Sequence, residues 1–175
     1  MNHEKLQDAR ELYDKIYEVL QLPATRIILL EKYPSLTDVL PNRIFWLDSL
    51  EFMTYISDAD GYISKREVNI MNYITNEYMS VDTIQQLAYD SEDMDTRVPV
   101  TVMLLCELEN YLYKNNAAQN YSIMNAIIAY FKTIGELVAD TDNGISSEEY
   151  SRINEYIDRI QEYAEENTLS PFFNY

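Results

Sequence analysis

The sequence predicts an all-α fold, a helical bundle of about seven to nine helices with an approximate internal two-fold repeat. Three observations carry this. Apolar residues make up 47% of 175, enough for a sizeable core in one domain despite the heavy charge. Three glycines and five prolines leave too little turn material for many strands. A short phrase also occurs twice. It reads Ala59-Asp60-Gly61-Tyr62-Ile63-Ser64-Lys65-Arg66-Glu67 and again Ala139-Asp140-Thr141-Asp142-Asn143-Gly144-Ile145-Ser146-Ser147-Glu148-Glu149. Each copy follows one apolar helical stretch and opens another.

The elements follow in order. Leu6, Leu12, Tyr13, Ile16, Tyr17, Val19 and Leu20 recur at three- and four-residue spacing, which predicts an amphipathic helix over 4–20 that Pro23 ends. A short helix over 24–32 stops before Pro34, and 36–40 makes one helical turn. Pro41 leads a longer helix over 42–58, apolar on several faces and therefore central. Ser64 and Glu67 have the spacing of a capping box, in which the hydroxyl meets an orphan N–H and the carboxylate reaches back to the cap. The helix they open is expected to reach Tyr78, with Val68, Met71 and Ile74 or Tyr78 facing inward. A helix over 81–89 and an acidic loop over 90–96 follow, then a Pro99-led helix to Lys114. Asn115-Asn116 breaks the chain before a helix over 118–139. Ser146 and Glu149 repeat the capping box and open the last helix, to Glu166. Residues 1–43 thus read as a helical extension packed on the core, 44–167 as the main domain with two acidic loops, and 168–175 as an aromatic tail.

Thirty acidic against thirteen basic residues give a net charge of -17. That field repels nucleic-acid phosphates and attracts cations or basic protein surfaces. Direct nucleic-acid binding is not expected, and a protein partner with a basic surface is. The most apolar run, 98–105, is too short to span a bilayer, and the N-terminus has no apolar signal core. With a single cysteine, Cys106, the expectation is a soluble cytoplasmic protein without internal disulfides. Cys106 sits in an apolar helix and reads as a small buried hydrophobe. His3 is the one histidine, which leaves no His-based triad or zinc site. No constellation supports an enzyme, and no Gly-rich phosphate loop is present. The sixteen tyrosines read as core-edge residues with wet hydroxyls, or else as a sticky protein-binding face.

Asp and Glu supply the hard oxygen ligands that calcium or magnesium takes. An EF-hand register fails in both loops. With Gly61 as the turn glycine, the first ligand position falls on Ile56. In the second loop Ile145 stands where the glycine belongs. A looser arrangement would use Asp58, Asp60 and Glu67 at one cation site and Asp140, Asp142, Glu148 and Glu149 at another. The alternative is helix capping alone, in which Ser and Glu cap and the Asp residues favour the helix dipole. The tail residues Phe172, Phe173 and Tyr175 either fold back on the bundle or form an aromatic docking peptide for a partner.

The two phrases resemble those of the tellurite-resistance TerB-like family, closest to the TerB-like regions that precede ATPase domains in some bacterial proteins. The resemblance covers about residues 44–166, with Pro99 at the place of a Pro-led helix between halves. It implies an all-helical fold with two acidic clusters that bind metal, in non-enzymatic partners of bacterial stress and phage-defence systems. The matching positions are Asp60 and Glu67 in the first copy and Asp140 and Glu149 in the second. The second loop is two residues longer than the first. The combined expectation is a non-enzymatic acidic module that binds a partner protein, tuned by divalent cations at the loops. A second reading from charge and size is an acidic nucleic-acid mimic that inhibits a nucleic-acid-binding protein, as phages deploy against host defences.

Overall fold

A computed structural model describes residues 3–90, 94, 96–117, 121–140, 145–171 and 173, with the backbone alone for 60 and 87–90. Among them there is no strand, and eight α-helices form the bundle. They are α1 (His3–Leu20), α2 (Pro23–Lys32), α3 (Pro41–Ser57), α4 (Lys65–Thr75), α5 (Val81–Asp90), α6 (Val100–Lys114), α7 (Ile123–Ala139) and α8 (Ser147–Asn167). Short 3₁₀ turns cover Pro34–Leu36 and Asp58–Asp60. No helix among the described residues is long and apolar enough to cross a membrane.

α3 and α7 are the centre, packed on each other, with α1, α4, α6 and α8 around them. One continuous core includes Ala9, Tyr13 and Ile16 of α1, so the first helix is integral to the bundle. Aromatic rings bind the centre in two linked groups. Tyr13, Phe45 and Tyr130 join α1, α3 and α7, with the Tyr13 and Phe45 centroids 4.8 Å apart. Phe52, Phe131 and Tyr156 join α3, α7 and α8, with Phe52 and Tyr156 at 4.2 Å. Such pairs add about 0.5–1.5 kcal/mol each beyond area burial. Gly135 allows the close approach: a Cβ there would lie 3.1 Å from both Ile153 Cγ1 and Phe52 Cζ. The tyrosines divide between roles. Tyr13, Tyr130 and Tyr156 are buried, and burial raises all three phenols, Tyr13 to about 12. Tyr62, Tyr78 and Tyr150 are exposed.

Both capping boxes form as the spacing predicts. Two boundaries differ. α4 stops at Thr75, short of Tyr78, because Asn76 turns left-handed at φ 56°. The Asn72 side chain then clamps Met79 through its N–H and carbonyl, and Tyr78 points into solvent. α7 begins at Ile123 rather than near 118, because Ser122 accepts from the Asn125 N–H as an N-cap. The turn expected at 36–40 is present as one hydrogen-bonded turn, the Val39 N–H donating to the Leu36 carbonyl at 3.0 Å, and a 3₁₀ turn at Pro34–Leu36 precedes it. Arg26 donates to the carbonyls of Thr37 and Val39 and fastens that turn to α2.

Candidate functional site

The first acidic loop is short and firmly seated. Asp58 ends α3, and its carbonyl accepts from the Gly61 N–H, with Gly61 left-handed at φ 78°. Few side chains but glycine tolerate that backbone. Ile63 then plunges into the core at 1% exposure. Glu67 Oε2 accepts from the Ser64 N–H at 2.6 Å, and the Glu67 N–H donates to Ser64 Oγ at 3.2 Å. Glu67 is buried at this cap, and Asp58 is exposed. In the second loop Asp140 is exposed at the C-cap of α7. Glu149 Oε2 accepts from the Ser146 N–H at 2.7 Å, and Glu148 lies 3.5 Å from Arg152 Nε. The Asp60 side chain, Asp142, Phe172 and Tyr175 lie outside the described residues. No three carboxylates, cysteines or histidines among the described residues converge as a metal site would require. Capping accounts for the placement of Glu67 and Glu149.

The tail is fastened to α6. Asn110 donates to the Asn167 carbonyl at 2.7 Å and accepts from the Leu169 N–H at 2.7 Å. Thr168 Oγ1 lies 3.4 Å from Cys106 Sγ, and Phe173 packs partly buried against the core. Burial raises the Cys106 thiol above its ordinary value, consistent with a buried hydrophobe.

Two buried carboxylates that sequence reasoning missed build the frame. Asp48 of α3 accepts from the Thr101 N–H at 2.8 Å, capping α6. Burial pushes its carboxyl up to about 6, opposed by the Thr101 hydrogen bonds and by Arg97. Glu109 of α6 accepts from the Met124 N–H at 2.8 Å and the Ser122 hydroxyl at 3.1 Å, capping α7. Each lies among apolar neighbours in a helix, and that mismatch was the available signal.

The arginines are equally committed. Arg10 donates to the Ile74 carbonyl at 2.7 Å, Arg152 to that of Tyr55 at 2.8 Å, and Arg159 to those of Met94 and Arg97 at 2.8 and 3.0 Å. Arg97 pairs with Glu51, and Arg43 lies over Trp46 at 3.6 Å. Scarce positive charge is therefore largely turned onto the fold's own carbonyls and rings, and apart from buried Asp48, Glu67 and Glu109 most of the described acids face solvent or its edge.

The imbalance is sharpest on α8, which carries seven carboxylates and two arginines. Glu148, Glu155, Asp158, Glu162, Glu165 and Glu166 are all exposed. At 100° per residue they share one face, in a line about 27 Å long. No cation among the described residues pairs with the last five, because Arg159 is turned to Met94 and Arg97. α1 differs, since Lys5, Arg10 and Lys15 interleave with its acids. The α8 face is thus a concentrated, hydrated negative strip suited to a basic protein surface.

No family model matches the chain, and neither a curated protein nor a solved structure matches it.

Proposed function

We propose that this chain is a non-enzymatic, TerB-like acidic module that binds a partner protein with a basic surface, and that α8 is the face presented to it. The observation that supports this most is the carboxylate line of α8, whose last five members pair with no cation among the described residues while both arginines reach carbonyls in the body of the fold. The duplicated acidic loop supports the family reading and, with it, a place in bacterial stress or phage defence. Calcium or magnesium would act on the same module at the loops. With Glu67 and Glu149 engaged at their caps, the outward carboxylates there are Asp58, Asp140 and Glu148, with Asp60 and Asp142 beside them in sequence.

Calorimetry with an acetylated tetra-arginine peptide tests the α8 face. A Glu155→Gln, Asp158→Asn, Glu162→Gln, Glu165→Gln variant is expected to bind about tenfold more weakly and to lose salt dependence. Neutralising Asp8, Glu11, Glu18 and Glu31 removes the same charge elsewhere and is expected to cost less than about threefold. Equal losses would overturn the assignment to α8. Titrating chelator-treated protein with calcium, then magnesium, tests the cation part. Saturable heat lost in an Asp60→Asn, Asp140→Asn variant is expected, and no heat would remove cations from the reading.

The contiguity of the α8 line also favours a second reading, the nucleic-acid mimic. The two part on one outcome: duplex DNA should release the captured partner of a mimic and leave an ordinary basic partner bound.

A further inference from the structure

A cavity of about 550 Å³ opens between α1, the segment 38–40, α3 and the end of α4. Its walls include Tyr13, Tyr17 and Trp46, aromatic faces at which a cation is attracted by the ring quadrupole. Asn42 donates to the Tyr17 hydroxyl at 2.7 Å and fixes that ring. Asp14, Asp38 and Glu77 line the cavity against two guanidiniums, Arg10 and Arg43, so carboxylates are in excess within a chain of net charge -17.

The chain itself shows what the cavity holds. Arg10 is bound at the negative end of α4, donating to the Tyr73 and Ile74 carbonyls and pairing with Asp14 at 2.9 Å. Arg43 stacks over Trp46 at 3.6 Å and reaches Glu77 only at 3.9 Å, with half its side chain in solvent. The first guanidinium is locked by three partners. The second is held by a ring face and a long ion pair, and it can be exchanged.

Resting on the reading of a basic partner, we infer that this cavity is an anchor pocket for an arginine side chain of that partner, which replaces Arg43 over Trp46 between Asp38 and Glu77. A ring face and a carboxylate each contribute modestly at an exposed site, and both are already set here. The pocket selects cations over anionic ligands such as nucleotides, because its carboxylates outnumber its guanidiniums.

Trp46 is the single tryptophan, so its fluorescence reports this cavity alone. Acetylated tetra-arginine should produce a saturable change in it. An Asp38→Asn, Glu77→Gln variant should weaken that binding about fivefold, and Arg43→Gln, which frees the ring face, should tighten it about threefold. Lys132→Gln removes an equal charge from an exposed site on α7 and should change it by less than about half as much. Calorimetric heat that depends on α8 with no Trp46 response would overturn the pocket and leave the basic-partner reading standing. Absence of any heat would overturn that reading as well. A saturable Trp46 response to adenosine monophosphate and none to the peptide would make the cavity an anion site, and an Arg43→Gln variant no tighter than Lys132→Gln would end the exchange.

Discussion

The two acidic loops share a phrase and a cap but not an environment. Ser64 and Ser146 cap their helices with the same pair of hydrogen bonds, at nearly the same lengths. Around the first cap the 3₁₀ turn Asp58–Asp60 packs on α8, Glu67 is buried and Ile63 is 1% exposed. Around the second, Ser146 is open to solvent and the equivalent Ile145 is 38% exposed. The phrase therefore encodes a helix start, which is local, and leaves burial to whichever helix lies alongside. For the first loop that helix is α8.

The largest expected effect breaks this comparison at the isoleucines. Ile63→Ala should cost about 2–5 kcal/mol, the range for emptying a well-packed site. Ile145→Ala should cost less than about 1 kcal/mol, because much of that side chain is already wet. Urea unfolding of both variants measures the pair. Equal costs would mean that the second loop is buried in solution as the first is.

A second difference lies in the helices that lead into the loops. α3 carries buried Asp48, whereas the buried residues of α7 include no acid. Asp48 is raised from 3.8 to about 6 by burial, so between those values the native state holds a proton that the unfolded state has released. Stability from this group is therefore gained as pH falls through the window and lost as pH rises through about 6. The span is about 3 kcal/mol. Asp48→Asn should remove that part of the pH dependence while keeping an acceptor for the Thr101 N–H. Unfolding at pH 4.5 and 7.5, both conditions of the experiment set about that window, checks it. An unchanged slope would place the carboxyl in water.

The helices were legible because their signals are local. Apolar spacing marked α1, an apolar run behind Pro41 marked α3, and Ser-x-x-Glu marked the starts of α4 and α8. What was not legible depends on distant partners. The end of α4 required Asn76 to turn left-handed, which a helical pattern continuing to Tyr78 conceals. The start of α7 is set in part by Glu109, on the preceding helix. The candidate site was half visible. Charge count revealed an acidic protein, but the carbonyls to which Arg152 and Arg159 turn are distant in sequence, on Tyr55 and Met94. Arg152 keeps its i,i+4 pair with Glu148 while it reaches Tyr55, whereas Arg159, four residues from Glu155, is drawn to carbonyls of the segment before α6.

The smallest effects sharpen the comparison at the caps themselves. Ser64→Ala and Ser146→Ala each delete one hydroxyl that accepts at 3.2 Å. If hydrogen-bond geometry alone set the cost, the two would match. Burial argues otherwise. At Ser64 the orphaned Glu67 N–H stays in a nearly dry site, where water replaces the hydroxyl poorly, and the loss should be about 1–2 kcal/mol. At Ser146 water can reach the Glu149 N–H, and about 0.5 kcal/mol is expected. Thermal melts of the two single variants give the ratio. A ratio near one would show that the cap, rather than its neighbourhood, fixes the energy, and would make the two loops equivalent despite the packing of the first on α8.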